Sequence, residues 1–227
     1  MKIMIIASHP DDAELAMGGT IFELTDKGNK VIILDLTNGE PTPHGSVKTR
    51  LKEARQAAKV LGVTERIILD LPNRYLKDEI EHRIKVAEYI RIYKPEIIFA
   101  PFSIDAHPDH IAGSNIAIAS RFYAKLTKTK MKGEPFYPSR IYFYFCSHLQ
   151  LNIQPSFVLP VSRKGFRKKI KAIKCYKSQF NYGKNKKIPE RIEIQMRYWG
   201  ERINQEFAEP FFSYEVIGIK DISCLLI

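Results

Sequence analysis

Cysteine is scarce in this chain of 227 residues: Cys146, Cys175 and Cys224 are odd in number, far apart and never in a CxxC pair. That excludes a disulfide framework and a Cys-type zinc site, and it fits a reducing, cytoplasmic setting. No stretch approaches the roughly 18 uninterrupted apolar residues that a membrane span requires. The apolar run within Met1 to Ala7 meets Asp11 and Asp12 too soon for a signal peptide. The expectation is a soluble protein with no membrane partner. The first strand-to-helix turn lacks GxGxxG, and its Asp11, Asp12 and Glu14 would repel a pyrophosphate, so dinucleotide binding is set aside. There is no GxSxG elbow, and no cysteine is close in sequence to the polar clusters described below, which leaves nucleophilic catalysis without support. Low-complexity tracts and self-similar periods are missing too, which excludes a solenoid.

What is present is an ordinary globular composition, 44% hydrophobic and 27% charged, in a chain long enough to bury a full core. Apolar runs at Lys2 to Ser8, Lys30 to Leu36, Arg66 to Leu71 and Glu96 to Ala100 read as buried strands. Between them lie helical patterns: Gly18 to Lys27, then a helix capped by Ser46 and stopped by Gly62, then one opened by an Asp78/Glu81 capping box and running to Lys94. This alternation predicts right-handed βαβ units and a parallel sheet with helices on both faces. Beyond residue 111 the pattern predicts a helix to Lys125, strands at Arg140 to Phe145 and Ser156 to Leu159, helices near 163–178 and 190–204, and an extended Phe211 to Ile219. That half forms a mixed α/β C-terminal extension. Nothing resembles a flexible linker, so the expected organisation is one domain, 1–227.

The chain carries 36 Lys and Arg against 25 Asp and Glu, a net charge of +11. Residues 161–202 alone hold 14 basic residues against three Glu, so the whole surplus lies there. Such a segment suits an anionic partner, but Ile170, Ile173 and Tyr176 recur beneath the charges at helical spacing, as on a solvated helix face. A nucleic-acid-binding protein using this segment, with a structural metal, is therefore the alternative function; the expectation is no nucleic-acid partner, because no base-stacking platform is evident.

Two polar clusters carry the chemistry. His9-Pro10-Asp11-Asp12 follows the first strand, and His107-Pro108-Asp109-His110 follows the fourth. In a doubly wound sheet those strands are neighbours, and the crevice at their carboxyl ends is where ligands bind. A catalytic zinc takes three N or O ligands and keeps an open water position. His9, Asp12 and His110 supply such a set and leave over Asp11, His107 and Asp109. A metal-dependent phosphoesterase is a further alternative, for which ligands to a second metal are not apparent. His44, His82 and His148 are isolated and read as structural or surface residues.

The motifs SHPDDAELAMGGTI, DLTNGE, KTRLKEARQAAKVLGV, IIFAPFSIDAHPDH, YKSQF and YWGERINQEFAEPFF together resemble the LmbE-like, or PIG-L, family of zinc-dependent N-acetylglucosamine deacetylases over nearly the whole chain. Within the family the sequence looks most like the bacillithiol-pathway deacetylases and their bacterial and archaeal relatives. The resemblance implies a Rossmann-like fold and a Zn2+ site at His9, Asp12 and His110, with another divalent transition metal as an alternative. It makes Asp11 the general base and has His107 polarise the acetyl carbonyl, held charged by Asp109. It places Arg50, and Asn73 where many members have an Asp, against a small amino-sugar substrate. It also implies a homo-oligomer, a hexamer in close relatives. Asp105 occupies a position that is tyrosine in some relatives. The stretch between Phe180 and Glu190 is shorter than in the bacillithiol enzymes and carries Lys184, Lys186 and Lys187.

Overall fold

A computed structural model describes residues 1–225, so the last two positions of the expected 1–227 domain lie outside the described residues. The chain runs β1 (Lys2–Ala7), α1 (Asp12–Asp26), β2 (Lys30–Thr37), α2 (Val47–Leu61), β3 (Glu65–Leu71), α3 (Ile80–Tyr93), β4 (Ile97–Pro101), α4 (Pro108–Ala124) and β5 (Arg140–Tyr144). Then follow β6 (Phe157–Val161), α5 (Arg163–Ile173), α6 (Lys177–Phe180), a 3-10 turn at Gly183–Lys187, α7 (Ile188–Glu201) and β7 (Phe207–Phe212). All seven strands form one sheet in the order β3-β2-β1-β4-β5-β7-β6. The first five strands of that order pair parallel, and β7 joins β5 and β6 antiparallel. The expected Rossmann-like sheet with a mixed C-terminal extension is thus present.

The strands read as continuous apolar runs because both faces are covered. Along β1 the residues alternate: Met4 and Ile6 pack with Val86, Ile90 and Ile116 under α3 and α4, whereas Ile3 and Ile5 pack with Ile21, Ala57 and Tyr176 under α1, α2 and the segment after α5.

Local expectations fail where tertiary contacts outweigh local signals. The first helix has an extra stretch from Asp12 that breaks at a non-helical Met17, and the segment expected from Gly18 follows that break. A Cβ on Gly19 would sit 2.7 Å from Val161 Cγ1, so the glycines serve the close crossing of α1 by β6 and α5. Ser46 does cap α2, its hydroxyl accepting from Thr49 N at 3.2 Å. Asp78 does not form the expected capping box: α3 starts after Glu79 without a side-chain cap, and Asp78 instead pairs with Arg83 at 2.6 Å. Helix 163–178 is interrupted after Ile173, the last helix runs Ile188–Glu201, and the extended segment expected at 211–219 is β-strand only from Phe207 to Phe212.

Candidate metal and catalytic site

Neighbouring strands β1 and β4 deliver the two clusters to one crevice, each at a helix N-terminus. Asp11 is the residue before α1, and His107 is the residue before α4. At its centre the Asp12 carboxylate lies between two imidazoles, 3.3 Å from His9 Nδ1 and, through its other oxygen, 3.3 Å from His110 Nε2. The ligand atoms of His9, Asp12 and His110 all lie within 4.8 Å of one another. Each imidazole uses its other nitrogen on a second carboxylate. His9 Nε2 meets Asp109 Oδ2 at 3.0 Å, and His110 Nδ1 meets Asp105 Oδ2 at 2.7 Å. A ring that donates one N–H to a carboxylate presents its other nitrogen as a basic, oriented ligand.

The charges call for a cation. Asp12, Asp105 and Asp109 enclose two imidazoles in a buried setting where unpaired carboxylates are costly. Burial pulls His9 and His110 down, yet Asp12 and the flanking hydrogen bonds prevail and hold them at about 9 and about 10. Burial pushes Asp12 up, but its two histidine neighbours keep it well below the usual carboxylate range. Three N/O donors of this kind fit a zinc-class ion.

Asp11 faces the other way. Its backbone has φ 119°, and instead of capping α1 its carboxylate meets Arg50 Nη2 at 2.9 Å. Burial pushes its pKa up to about 7, against the pull of the Arg50 guanidinium. Arg50, from α2, is itself fixed by a bond from Nε to Pro10 O at 2.9 Å, and its buried Nη1 has no partner. Gly39, at φ 75°, lets the loop after β2 close over this pair: a Cβ there would lie 3.1 Å from Pro10 Cδ and 3.3 Å from Arg50 Nη2. Beneath the turn, Arg66 from β3 bridges Asp35, at 2.6 Å, and Glu14, which anchors the first turn of α1 to the sheet.

Asp109 does not hold His107 charged. Its carboxylate accepts from His9 and from the backbone N–H groups of Arg74 (2.6 Å) and Leu76 (3.2 Å), and these bonds, opposing burial, keep it ionised. His107 Nδ1 accepts from the Asp109 backbone N–H at 3.2 Å, and burial together with His9 and His110 lowers its pKa. A neutral ring in that state carries its proton on Nε2. Asn73 lies half-buried after β3, its Oδ1 3.4 Å from Thr37 Oγ1.

Three residues that sequence reasoning left aside also converge here. Asp105, noted only as replacing a tyrosine, orients His110 and accepts from the backbone N–H groups of His107 and His148, both at 3.0 Å. The ring of His148, read as isolated, comes within 5.6 Å of His107 and 5.5 Å of His110 between centroids. Cys146 Sγ lies 3.7 Å from Asp12 Oδ1, and burial pushes its thiol well above the ordinary value. For Asp105 the signal was available, two positions before His107 in the same loop. For Cys146 and His148 none was, since β5 carries them in from far along the chain. Of the basic segment, Lys169 is buried against Glu209 at 2.6 Å, Tyr176 is buried, and Phe166 stacks on Phe207 at 4.2 Å. Lys184, Lys186 and Lys187 are exposed on the 3-10 turn.

The PIG-L family model, described as GlcNAc-PI de-N-acetylase, matches residues 4–120. Diacetylchitobiose deacetylase of Thermococcus kodakarensis is 28% identical, over 92% of this chain and 81% of that protein. The probable N-acetyl-alpha-D-glucosaminyl L-malate deacetylase 2 of Bacillus anthracis is 25% identical, over 78% of this chain and 81% of that protein. A solved structure of a conserved protein from Thermus thermophilus superposes with a TM-score of 0.88 at 36% identity, covering 96% of this chain and 97% of that one.

Proposed function

The chain belongs to the PIG-L family, and on that premise we propose that it hydrolyses the N-acetyl group of a small molecule containing N-acetylglucosamine, using a zinc ion held by His9, Asp12 and His110. The observation that carries this reading is the chain of carboxylate, imidazole, carboxylate, imidazole, carboxylate from Asp109 through His9, Asp12 and His110 to Asp105. A structural ion pair has no need of two outer carboxylates that leave one nitrogen of each ring free for a ligand. The named activities of the Thermococcus and Bacillus relatives supply the substrate class.

A zinc-class ion, when bound, supplies Lewis-acid charge that acidifies water and polarises an acyl carbonyl. Asp11, buried and near neutrality, accepts the proton of the attacking water. His107, neutral and with its Nδ1 occupied, directs Nε2–H at the developing oxyanion. Asp11 then returns its proton to the departing amine, so that one water and one amide become acetate and an amino sugar. Arg50 fixes the carboxylate of Asp11 and, with Asn73, borders the space for the sugar.

The deciding experiment measures acetate release from N-acetylglucosamine, its malate glycoside and diacetylchitobiose, with and without a chelator. Release that stops on chelation and returns with zinc is expected; chelator-resistant release, or none from any substrate, sinks the reading. The proposal extends to a homo-oligomer, because Ile111, Ile118 and Phe122 recur along one exposed face of α4. A monomeric mass by light scattering would remove that part.

A further inference from the structure

Lys169 of α5 and Glu209 of β7 are charged, buried and unused by the chemistry above, and they pair with each other at 2.6 Å. A buried ion pair is often no more stabilising than apolar side chains of the same size, because both charges lose their water. The other hydrogen bonds of this pair go to one place, the break in α1.

Met17 leaves helical geometry, at φ −133° and ψ 24°, so α1 consists of two segments whose facing ends each hold backbone groups in need of partners. On one side of the break, Lys169 Nζ donates to Ala16 O at 3.2 Å. On the other, Met17 stands where an N-cap would, and Gly19 and Thr20 supply the second and third amides of the new segment. Glu209 accepts from both, at 3.0 Å and 2.6 Å. Those are the amides that an N-cap side chain ordinarily satisfies, and Met17 has no acceptor to offer. The two glycines face the pair: a Cβ on Gly18 would lie 2.9 Å from Lys169 Cγ, and one on Gly19 would lie 3.1 Å from Glu209 Oε1. A lysine and a glutamate from outside the helix thus cap its two broken ends.

The segment before the break carries Asp12. From Asp12 to Ala16 it makes little more than one turn, too short to keep its direction through helical bonds alone. It is pinned at Glu14, which accepts from Arg66 and, at 3.0 Å, from Tyr176 Oη, and again at Ala16 by Lys169. We propose that Lys169 and Glu209 are positioning residues of the metal site: they fix the two segments of α1 against each other and thereby hold the Asp12 carboxylate between His9 and His110. The inference rests on the zinc reading of that site.

The test uses two double variants that leave no unpaired buried charge. Lys169→Met with Glu209→Met removes the whole clamp; Lys169→Met with Glu209→Gln removes the charges and keeps one side-chain oxygen for the amides of Gly19 and Thr20. Zinc affinity is read by competition with a chromogenic chelator, under conditions in which circular dichroism shows each protein folded. The first variant is expected to bind zinc about tenfold more weakly than the native protein and the second about threefold, as for other groups that act on a ligand from behind. Native affinity in the first variant, or equal weakening in both, overturns the proposal. Should the first not fold, the second decides alone: weakened binding upholds the clamp, and native affinity removes it.

Hydrogen exchange in metal-free protein separates this inference from the zinc reading. In the Lys169→Met, Glu209→Gln protein the amides of Leu15 and Ala16 should exchange about tenfold faster, while those of Leu24 and Thr25, at the far end of α1, keep their native rates. Unchanged exchange at Leu15 and Ala16, or the same acceleration at both ends, overturns the clamp. A native protein that binds no zinc would sink the metal reading, and the exchange rates would still decide whether the pair holds the first segment in place.

Discussion

Two adjacent aspartates at the crevice sit in opposite environments, and the difference comes from their neighbours. Asp12 lies between two imidazoles and stays ionised; Asp11 points to Arg50 and is pushed up by burial to about 7. Asp11→Asn is expected to keep metal occupancy while kcat falls by a factor on the order of 10²–10⁴, the usual contribution of a general base. Loss of metal from that variant, read by elemental analysis, would exchange the roles of the two residues. His107→Ala should also retain metal and lose kcat, because its ring bonds a backbone N–H and neither Asp12 nor Asp105. Asp105→Asn and Asp109→Asn address the outer carboxylates. Each should weaken zinc affinity about 10–100-fold, since each orients the free nitrogen of a candidate ligand. Unchanged affinity in a competition titration with a chromogenic chelator would reduce both carboxylates to helix-end and loop contacts.

Helix α1 shows how packing and local signals combine. The helix was expected to start at Gly18; a first turn already begins at Asp12, the backbone breaks from helical geometry at Met17, and the second segment starts at the two glycines, where β6 and α5 cross too closely for a side chain. Gly19→Ala is therefore expected to destabilise the fold by about 1–3 kcal/mol in urea unfolding, as Val161 and Glu209 must give way to the new methyl group. A neutral or stabilising result would mean that the crossing is looser than described. The early start also matters for the site, since it puts Asp12 in the first helical turn, where the amide dipoles favour its negative charge. The failed Asp78 cap has a different cause: Arg83, five residues on, binds both carboxylate oxygens and competes for the group that would have capped the helix.

At the scale of the molecule, the buried charges make stability and metal binding interdependent. Before a cation binds, His9 and His110 titrate at about 9 and about 10, above the ordinary histidine value near 6.5. Raised values of this kind give stabilisation that is complete below about 6.5 and lost as pH rises through the folded values. Chelated protein should therefore lose Tm steadily between about pH 7 and 10, and saturating zinc should flatten that slope by replacing the protons. A chelated Tm that rises over the interval would contradict the assignment. The parallel core and the two histidine clusters after β1 and β4 were legible from the sequence alone, because continuous apolar runs, helical periodicity and HPDD/HPDH at strand ends are local patterns. Contacts over long separations were decided only by the tertiary structure. Asp109 turned out to serve His9 rather than His107, β5 brought Cys146 and His148 to the crevice, and Lys169 turned inward to Glu209 at the break in α1. The reason is physical: a carboxylate or a lysine has no intrinsic partner, and which opposite charge is buried against it depends on which strands and helices the fold makes neighbours.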